Sequence, residues 1–389
     1  MDNFTFQNPT EIVFGKGAQK EVGARTAKYG KKALLVYGGG SIKRSGLYDQ
    51  VVQSLKDSGV DFVELGGVQP NPRLGLAQKG IDMARSEGVD FLLAIGGGSA
   101  IDTAKCISVG VPYDGNVWDF YDQKAVPRTA LGIGVVLTIP AAGSESSDSS
   151  VITNEDGLIK VGLSSNVYIP KFAILNPELT YTLPAYQMAC GAADMLAHVM
   201  ERYFTNVKNV DLSDKLCEGL MRAIIHNAPA AVHSPDDYNA RAEIMWCGTL
   251  AHNGLVGMGR VGDWASHGIG HELSAIYNMA HGASLAIALP AWMKYVYKHD
   301  VTRFAQFANK VFNVECDFWN PENTALEGIT RLERFLESIG LPIRLSQAKL
   351  ADLESNIPVM AAKCVRKGPK GQFVPLSAED VERIYRLAM

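Results

Sequence analysis

The chain reads as an α/β domain with a parallel sheet over residues 1–180, followed by an all-helical domain over residues 181–389. Three observations predict this division. A chain of 389 residues exceeds what one hydrophobic core usually serves, so two domains are expected. Up to about residue 180, short apolar runs rich in β-formers alternate with amphipathic stretches of helical period, the order of βαβ units around a parallel sheet. After Leu175-Asn-Pro-Glu-Leu-Thr180 the strand-like runs stop and helical spacing takes over.

In order along the chain, Phe4-Thr-Phe6 and Glu11-Ile-Val-Phe14 suggest an N-terminal pair of strands. Lys32–Tyr37 is a continuous apolar run, as a strand covered on both faces requires, and Gly46–Leu55 has helical spacing. Val60–Leu65 is the next strand, Leu74–Arg85 the next helix, then Asp90–Ile95 and Gly132–Thr138 are strands. Val151–Thr153 and Leu158–Gly162 flank Asn154–Gly157, which reads as a hairpin turning at Asp156-Gly157. Helices are expected at Pro184–Phe204, Asp211–Val232, Asn239–Leu255, Ala265–Ile276 and, at the far end, Val381–Leu387.

Composition narrows the function classes. Hydrophobic residues make up 47% and charged residues 20%, as in ordinary globular proteins, and the net charge of −4 gives no footing for nucleic acid or an anionic membrane surface. The start lacks a basic segment followed by an apolar one, and no apolar stretch reaches transmembrane length. The six cysteines are scattered without CxxC spacing, which fits a reducing cytoplasm.

The chain has eight histidines, and three of them, His267, His271 and His281, fall within fifteen residues. Upstream, Asp194 and His198 stand four apart in a run of helix formers, and His267 and His271 repeat that spacing. Residues i and i+4 share one helical face, so each pair can point at one spot. Imidazoles with one carboxylate suit zinc or iron(II), whereas calcium or magnesium wants more oxygens. Spacing alone also allows His267 and His271 to be the ligand pair.

Two glycine clusters end strands. In Ile95-Gly-Gly-Gly-Ser-Ala-Ile-Asp-Thr-Ala-Lys105, Gly97 and Gly98 let the backbone approach a ligand, and Ser99 is expected to cap a helix whose N-terminus favours a pyrophosphate. Ser99 and Asp102 also have capping-box spacing. The pattern departs from GxGxxG, so an ordinary Rossmann domain does not follow. In Val36-Tyr-Gly-Gly-Gly-Ser-Ile-Lys-Arg44, the strand ends on Gly38 and Gly39 where NAD-preferring sites commonly carry an acidic residue. Ser41, Lys43 and Arg44 follow, so the reading favours NADP(H) over NAD(H).

Together these residues resemble the iron-dependent (group III) alcohol dehydrogenase family, and within it the NADPH-dependent butanol dehydrogenase/aldehyde reductase branch. The resemblance spans nearly the whole chain: Asn71-Pro72, Gly96–Lys105, Thr138–Ser147, Asp194…His198 and His267-Gly-Ile-Gly-His-Glu-Leu273…His281-Gly282. One departure is Ala142-Gly-Ser-Glu145, where many relatives carry Thr-Gly-Ser-Glu. The resemblance implies a dinucleotide-binding α/β domain and a helical metal-binding domain, the layout shared with dehydroquinate synthase, with the active site in the cleft between. It assigns Asp194, His198, His267 and His281 to one divalent ion, Fe2+ or Zn2+, and leaves His271 beside it as a proton relay. It implies that Gly97, Gly98 and Ser99 hold the pyrophosphate, that Asp102 lies near the nicotinamide half, and that Asn71, Thr138, Ser147 and Lys160 line the dinucleotide. The implied activity is hydride transfer between NADP(H) and a small primary alcohol or aldehyde such as butanol or butanal, by a cytoplasmic homodimer. A metal-dependent lyase or cyclase of the dehydroquinate synthase type is the alternative; it needs several basic residues around an anionic substrate, and residues 262–282 contain no Lys or Arg.

Overall fold

A computed structural model describes residues 1–389. It resolves into two compact units. The α/β unit comprises Gln7–Pro184 with Pro235–Asn253, and the helical unit comprises Met1–Phe6, Ala185–Ser234 and Gly254–Met389.

The α/β unit holds β1 (Glu11–Phe14), β2 (Lys32–Tyr37), β3 (Asp61–Leu65), β4 (Phe91–Gly96), β5 (Gly132–Leu137), β6 (Ser149–Asn154), β7 (Ile159–Ser164) and β8 (Phe172–Leu175). Six of them form one parallel sheet in the order β1-β8-β5-β4-β2-β3, and β6 and β7 form a separate antiparallel hairpin. Alternate residues of the central strands enter two cores. Leu34, Val36, Leu92 and Ala94 pack on one face with the helices Leu74–Ser86 and Gly98–Gly110. Ala33, Leu35, Leu93 and Ile95 pack on the other with the helix Leu47–Asp57. Burial on both faces explains why β2 and β4 read as unbroken apolar runs.

The structure departs from the sequence reading in several places. Phe4–Phe6 forms no strand, and β1 pairs instead with β8. The first residues attach to loops of the helical unit: the Met1 amine donates to Lys208 O at 2.9 Å and Asp2 N to Gly259 O at 3.0 Å. The hairpin, by contrast, turns at Asp156-Gly157 as expected, within a loop of residues 155–158 that sets Asn154 opposite Ile159 and Gly157 at φ 76°. Ser99 is not the helix cap; the helix begins at Gly98 with the extended Gly97 before it, and Gly97 O accepts from Ala100 and Ile101. The helix Tyr238–His252 belongs to the α/β unit although it lies beyond residue 180. Its Arg241 donates to Thr180 O at 2.7 Å, its Thr249 hydroxyl to Glu145 Oε1 at 2.6 Å, and its Trp246 packs edge-on to Phe14. Helical period carries no mark of which core a helix joins.

The helical unit is built from the helices Ala185–Tyr203, Asp211–His233, Ala265–Tyr277, His281–Val296, Val301–Phe312, Pro321–Ser338, Leu353–Cys364 and Ala378–Leu387. Phe204, Trp292, Phe304, Phe307 and Phe373 cluster in its core. No helix is long and apolar enough to cross a membrane.

Candidate functional site

In the helical unit, Asp194 and His198 lie one turn apart on Ala185–Tyr203, His267 and His271 one turn apart on Ala265–Tyr277, and His281 opens His281–Val296. Three of these imidazoles converge on one carboxylate oxygen. Asp194 Oδ1 is 3.3 Å from His198 Nε2, 3.9 Å from His267 Nε2 and 3.8 Å from His281 Nε2. Donor atoms bonded at about 2.1 Å to one tetrahedral ion stand about 3.4 Å apart, so these separations fit a shared cation. The donor atoms of Asp194, His267 and His281 all lie within 4.8 Å of one another. His267 Nε2 is buried without a hydrogen-bond partner, a costly condition that a ligated ion relieves. Burial pushes the His198 pKa well below its ordinary value, helped by nearby His267 and Arg202, which keeps its imidazole neutral. His271 stands beside the group, its ring centroid 5.2 Å from His281 and 6.4 Å from His267.

Two residues that the sequence reading gave no role hold this arrangement. Gly282 is the first: a Cβ there would lie 1.9 Å from Cys190 O, so glycine alone lets the start of the 281–296 helix meet the 185–203 backbone, one turn before Asp194. Glu201 is the second, on the face of Asp194 and His198 at the i+7 position. Its carboxylate lies 2.8 Å from His267 Nδ1 and accepts from the backbone N–H of His267 at 2.9 Å and of Trp264 at 2.6 Å. Burial and the nearby Glu201 carboxylate push the neighbouring Asp263 carboxyl above its ordinary value. The chain also brings basic groups to the 265–277 helix from far away. The Lys370 stem lies against Gly268, and Lys363 Nζ is 3.8 Å from Glu272. A count of Lys and Arg within residues 262–282 misses them.

In the α/β unit the expected cofactor residues gather at the carboxyl ends of neighbouring parallel strands. Gly38 and Gly39 follow β2, Gly97 to Ser99 follow β4, and Thr138 follows β5, with Asn71 in the loop after β3. β2 and β4 pair directly, Tyr37 opposite Ile95, and the chain changes direction across the sheet between them. Such a switch point is where open α/β sheets take ligands. Gly97 is packed against Ile139, whose Cβ would be 2.7 Å from an added one, whereas a Cβ at Gly98 would make only an ordinary contact with Ala142 Cβ at 3.8 Å. Lys160 on β7 donates to Asn71 Oδ1 at 2.9 Å, both residues buried.

Asp102 faces inward on its helix, accepting from Ser144 Oγ at 2.6 Å and Val151 N at 2.9 Å, and burial pushes its pKa up. Lys105, fully buried, gathers the serine loop: its ammonium donates to the carbonyls of Ser144, Ser147 and Ser149 and to the hydroxyls of Ser144 and Ser147. Burial lowers its pKa to about 8. The Lys43 charge, counted above toward a phosphate, is taken up locally. Its Nζ is 3.4 Å from Glu64 Oε2 and sits over the rings of Tyr37 and Tyr48. Ser41 remains exposed at the start of the short helix Ser41–Arg44.

A helical unit with a carboxylate ringed by imidazoles, and a parallel sheet with glycine turns at its switch point, are the two parts of a known enzyme class. The chain belongs to the iron-containing alcohol dehydrogenase family: that family's model matches residues 9–177, and the model for its C-terminal part matches residues 188–389. Membership implies a divalent metal and a nicotinamide cofactor, with an alcohol or aldehyde as substrate. The chain is 43% identical over 389 residues to the probable NADH-dependent butanol dehydrogenase 1 of Bacillus subtilis, covering 100% of both. It is 36% identical over 396 residues to the NADPH-dependent aldehyde reductase YqhD of Escherichia coli, again covering 100% of both. The crystal structure of NADH-dependent butanol dehydrogenase A from Thermotoga maritima superposes with a TM-score of 0.95 at 40% identity, covering 100% of this chain and 99% of that one.

Proposed function

We propose that this protein is a metal-dependent alcohol dehydrogenase/aldehyde reductase that transfers a hydride between NADP(H) and a small primary alcohol or aldehyde such as butanol or butanal. The observation that carries the reading is the convergence of His198, His267 and His281 on Asp194 Oδ1. These four residues hold the ion, Fe2+ or Zn2+, and the neutral state of His198 leaves its lone pair available. When bound, the ion supplies a Lewis acid for the substrate oxygen and the reduced nicotinamide supplies the hydride. His271, beside His281 and His267, is the proposed proton relay: its imidazole exchanges a proton with the substrate oxygen, directly or through water. The backbone at Gly98 and the first N–H groups of its helix bind the pyrophosphate, with Gly97 and Ser99. Lys160 with Asn71, and Thr138 with Ser147, line the dinucleotide, and Asp102 fixes the serine loop beside it.

Gly38 and Gly39 leave room for a 2′-phosphate, and Ser41 offers a hydroxyl. NADH is the second reading, favoured by the Glu64–Lys43 pair and by the names of the Bacillus subtilis and Thermotoga maritima relatives. One assay tests both: oxidation of NADPH and of NADH against a panel of aldehydes, with chelator and with metal restored. Chelator-insensitive turnover sinks the metal mechanism, and a higher kcat/KM with NADH sinks the NADP(H) assignment.

A further inference from the structure

Glu201 is 1% exposed and sits two helical turns after Asp194. One of its oxygens, Oε1, meets both nitrogens on the near side of His267: the backbone N at 2.9 Å and the ring Nδ1 at 2.8 Å. The other, Oε2, accepts from Trp264 N at 2.6 Å. Both Glu201 oxygens already serve as acceptors for backbone N–H groups, so the ring nitrogen facing Oε1 is the one that carries a hydrogen and donates it. A neutral imidazole with hydrogen on Nδ1 has a bare lone pair on Nε2, and Nε2 is the buried atom without a hydrogen-bond partner, 3.9 Å from Asp194 Oδ1.

We propose that Glu201 is a positioning residue for the metal: it fixes the His267 tautomer and ring so that the Nε2 lone pair meets the ion. The inference rests on the ligand set proposed above. A carboxylate behind a ligating imidazole also raises its basicity, and loss of such a partner typically costs about 10–100-fold in metal affinity. A purely structural role competes with this one. Trp264 caps the 265–277 helix and His267 is its third residue, so Glu201 also closes two N-terminal backbone donors. Capping needs only the backbone bonds; the bond to Nδ1 is the part that concerns the metal.

The test uses the full-length protein stripped of metal and titrated with Zn2+ against a chelator, well below the melting temperature of the stripped form. Glu201→Gln keeps the side-chain length, and about 10–100-fold weaker Zn2+ binding is expected. A changed visible spectrum with Co2+ in the site is expected as well. A lower melting temperature with Zn2+ affinity and Co2+ spectrum unchanged makes Glu201 a helix cap only and overturns the proposal. Nitrogen NMR of the histidines in the unmodified, stripped protein does not depend on a variant folding. Hydrogen on His267 Nδ1 supports the proposal, and hydrogen on Nε2 overturns it. His267→Ala separates the two levels. Full metal binding in that variant refutes the ligand set itself, whereas metal loss there with wild-type affinity in Glu201→Gln refutes only the positioning role.

Discussion

Gly282→Ala adds a single methyl group at the closest helix contact of the proposed metal site. The new Cβ would sit 1.9 Å from Cys190 O, 2.5 Å from Cys190 C and 2.7 Å from Cys190 Cα, all backbone atoms that no rotamer change can move. Ordinary contact begins near 3.4 Å, so the start of the 281–296 helix must retreat by about 1.5 Å. Overpacking of this kind costs about 1–3 kcal/mol. The functional effect is expected to be larger, because His281 is the adjacent residue. A displacement of about 1.5 Å is comparable with a metal–nitrogen bond of about 2.0–2.1 Å, so the His281 imidazole would be carried out of reach of an ion held by the other proposed ligands. Denaturant melts of the metal-stripped protein measure the packing cost, and elemental analysis after metal loading measures the ligand loss. The expected variant is folded, modestly destabilised and metal-poor. Wild-type stability with full metal content would refute the reasoning, since it would mean that the helices part without disturbing His281.

Alanine at Asp194, His198, His267 or His281 should each deplete metal and abolish turnover; elemental analysis that finds full occupancy removes that residue from the ligand set. His271→Gln should retain metal and dinucleotide while kcat falls by about 10²–10⁴-fold. Metal content as low as in His267→Ala would instead make His271 a ligand. Gly38→Asp should shift the kcat/KM ratio toward NADH, because a carboxylate repels a 2′-phosphate. The site can accept the change: a Cβ there meets only Val68 O, at 3.4 Å. An unchanged ratio places the phosphate elsewhere.

Much of the architecture was legible because local pattern and tertiary role agree. β2 and β4 announce double burial through unbroken apolar runs, and Asp194/His198 and His267/His271 announce shared helical faces through their spacing. What escaped depended on partners distant in the chain. β8, Phe172–Leu175, lies between β1 and β5 in the sheet, and the sequence reading has no strand there. Glu201 was within reach, since it continues the Asp194/His198 face by one further turn, but nothing local says that its partner is His267. The charge of Lys43 looked available until folding set Glu64 of the neighbouring strand beside it.

The polypeptide passes between its two units four times, after residues 6, 184, 234 and 253. Neither unit is therefore a contiguous segment that could be excised or shuffled as a cassette. A fragment ending at residue 180 would lack the 238–252 helix and leave the buried Glu145 carboxylate without the Thr249 hydroxyl. During synthesis the α/β unit stays incomplete until the ribosome has delivered residue 253, by which time the Asp194/His198 helix is already made. The α/β unit is thus complete in the chain at residue 253, with the 185–234 segment of the helical unit already made and the larger part, residues 254–389, still to follow.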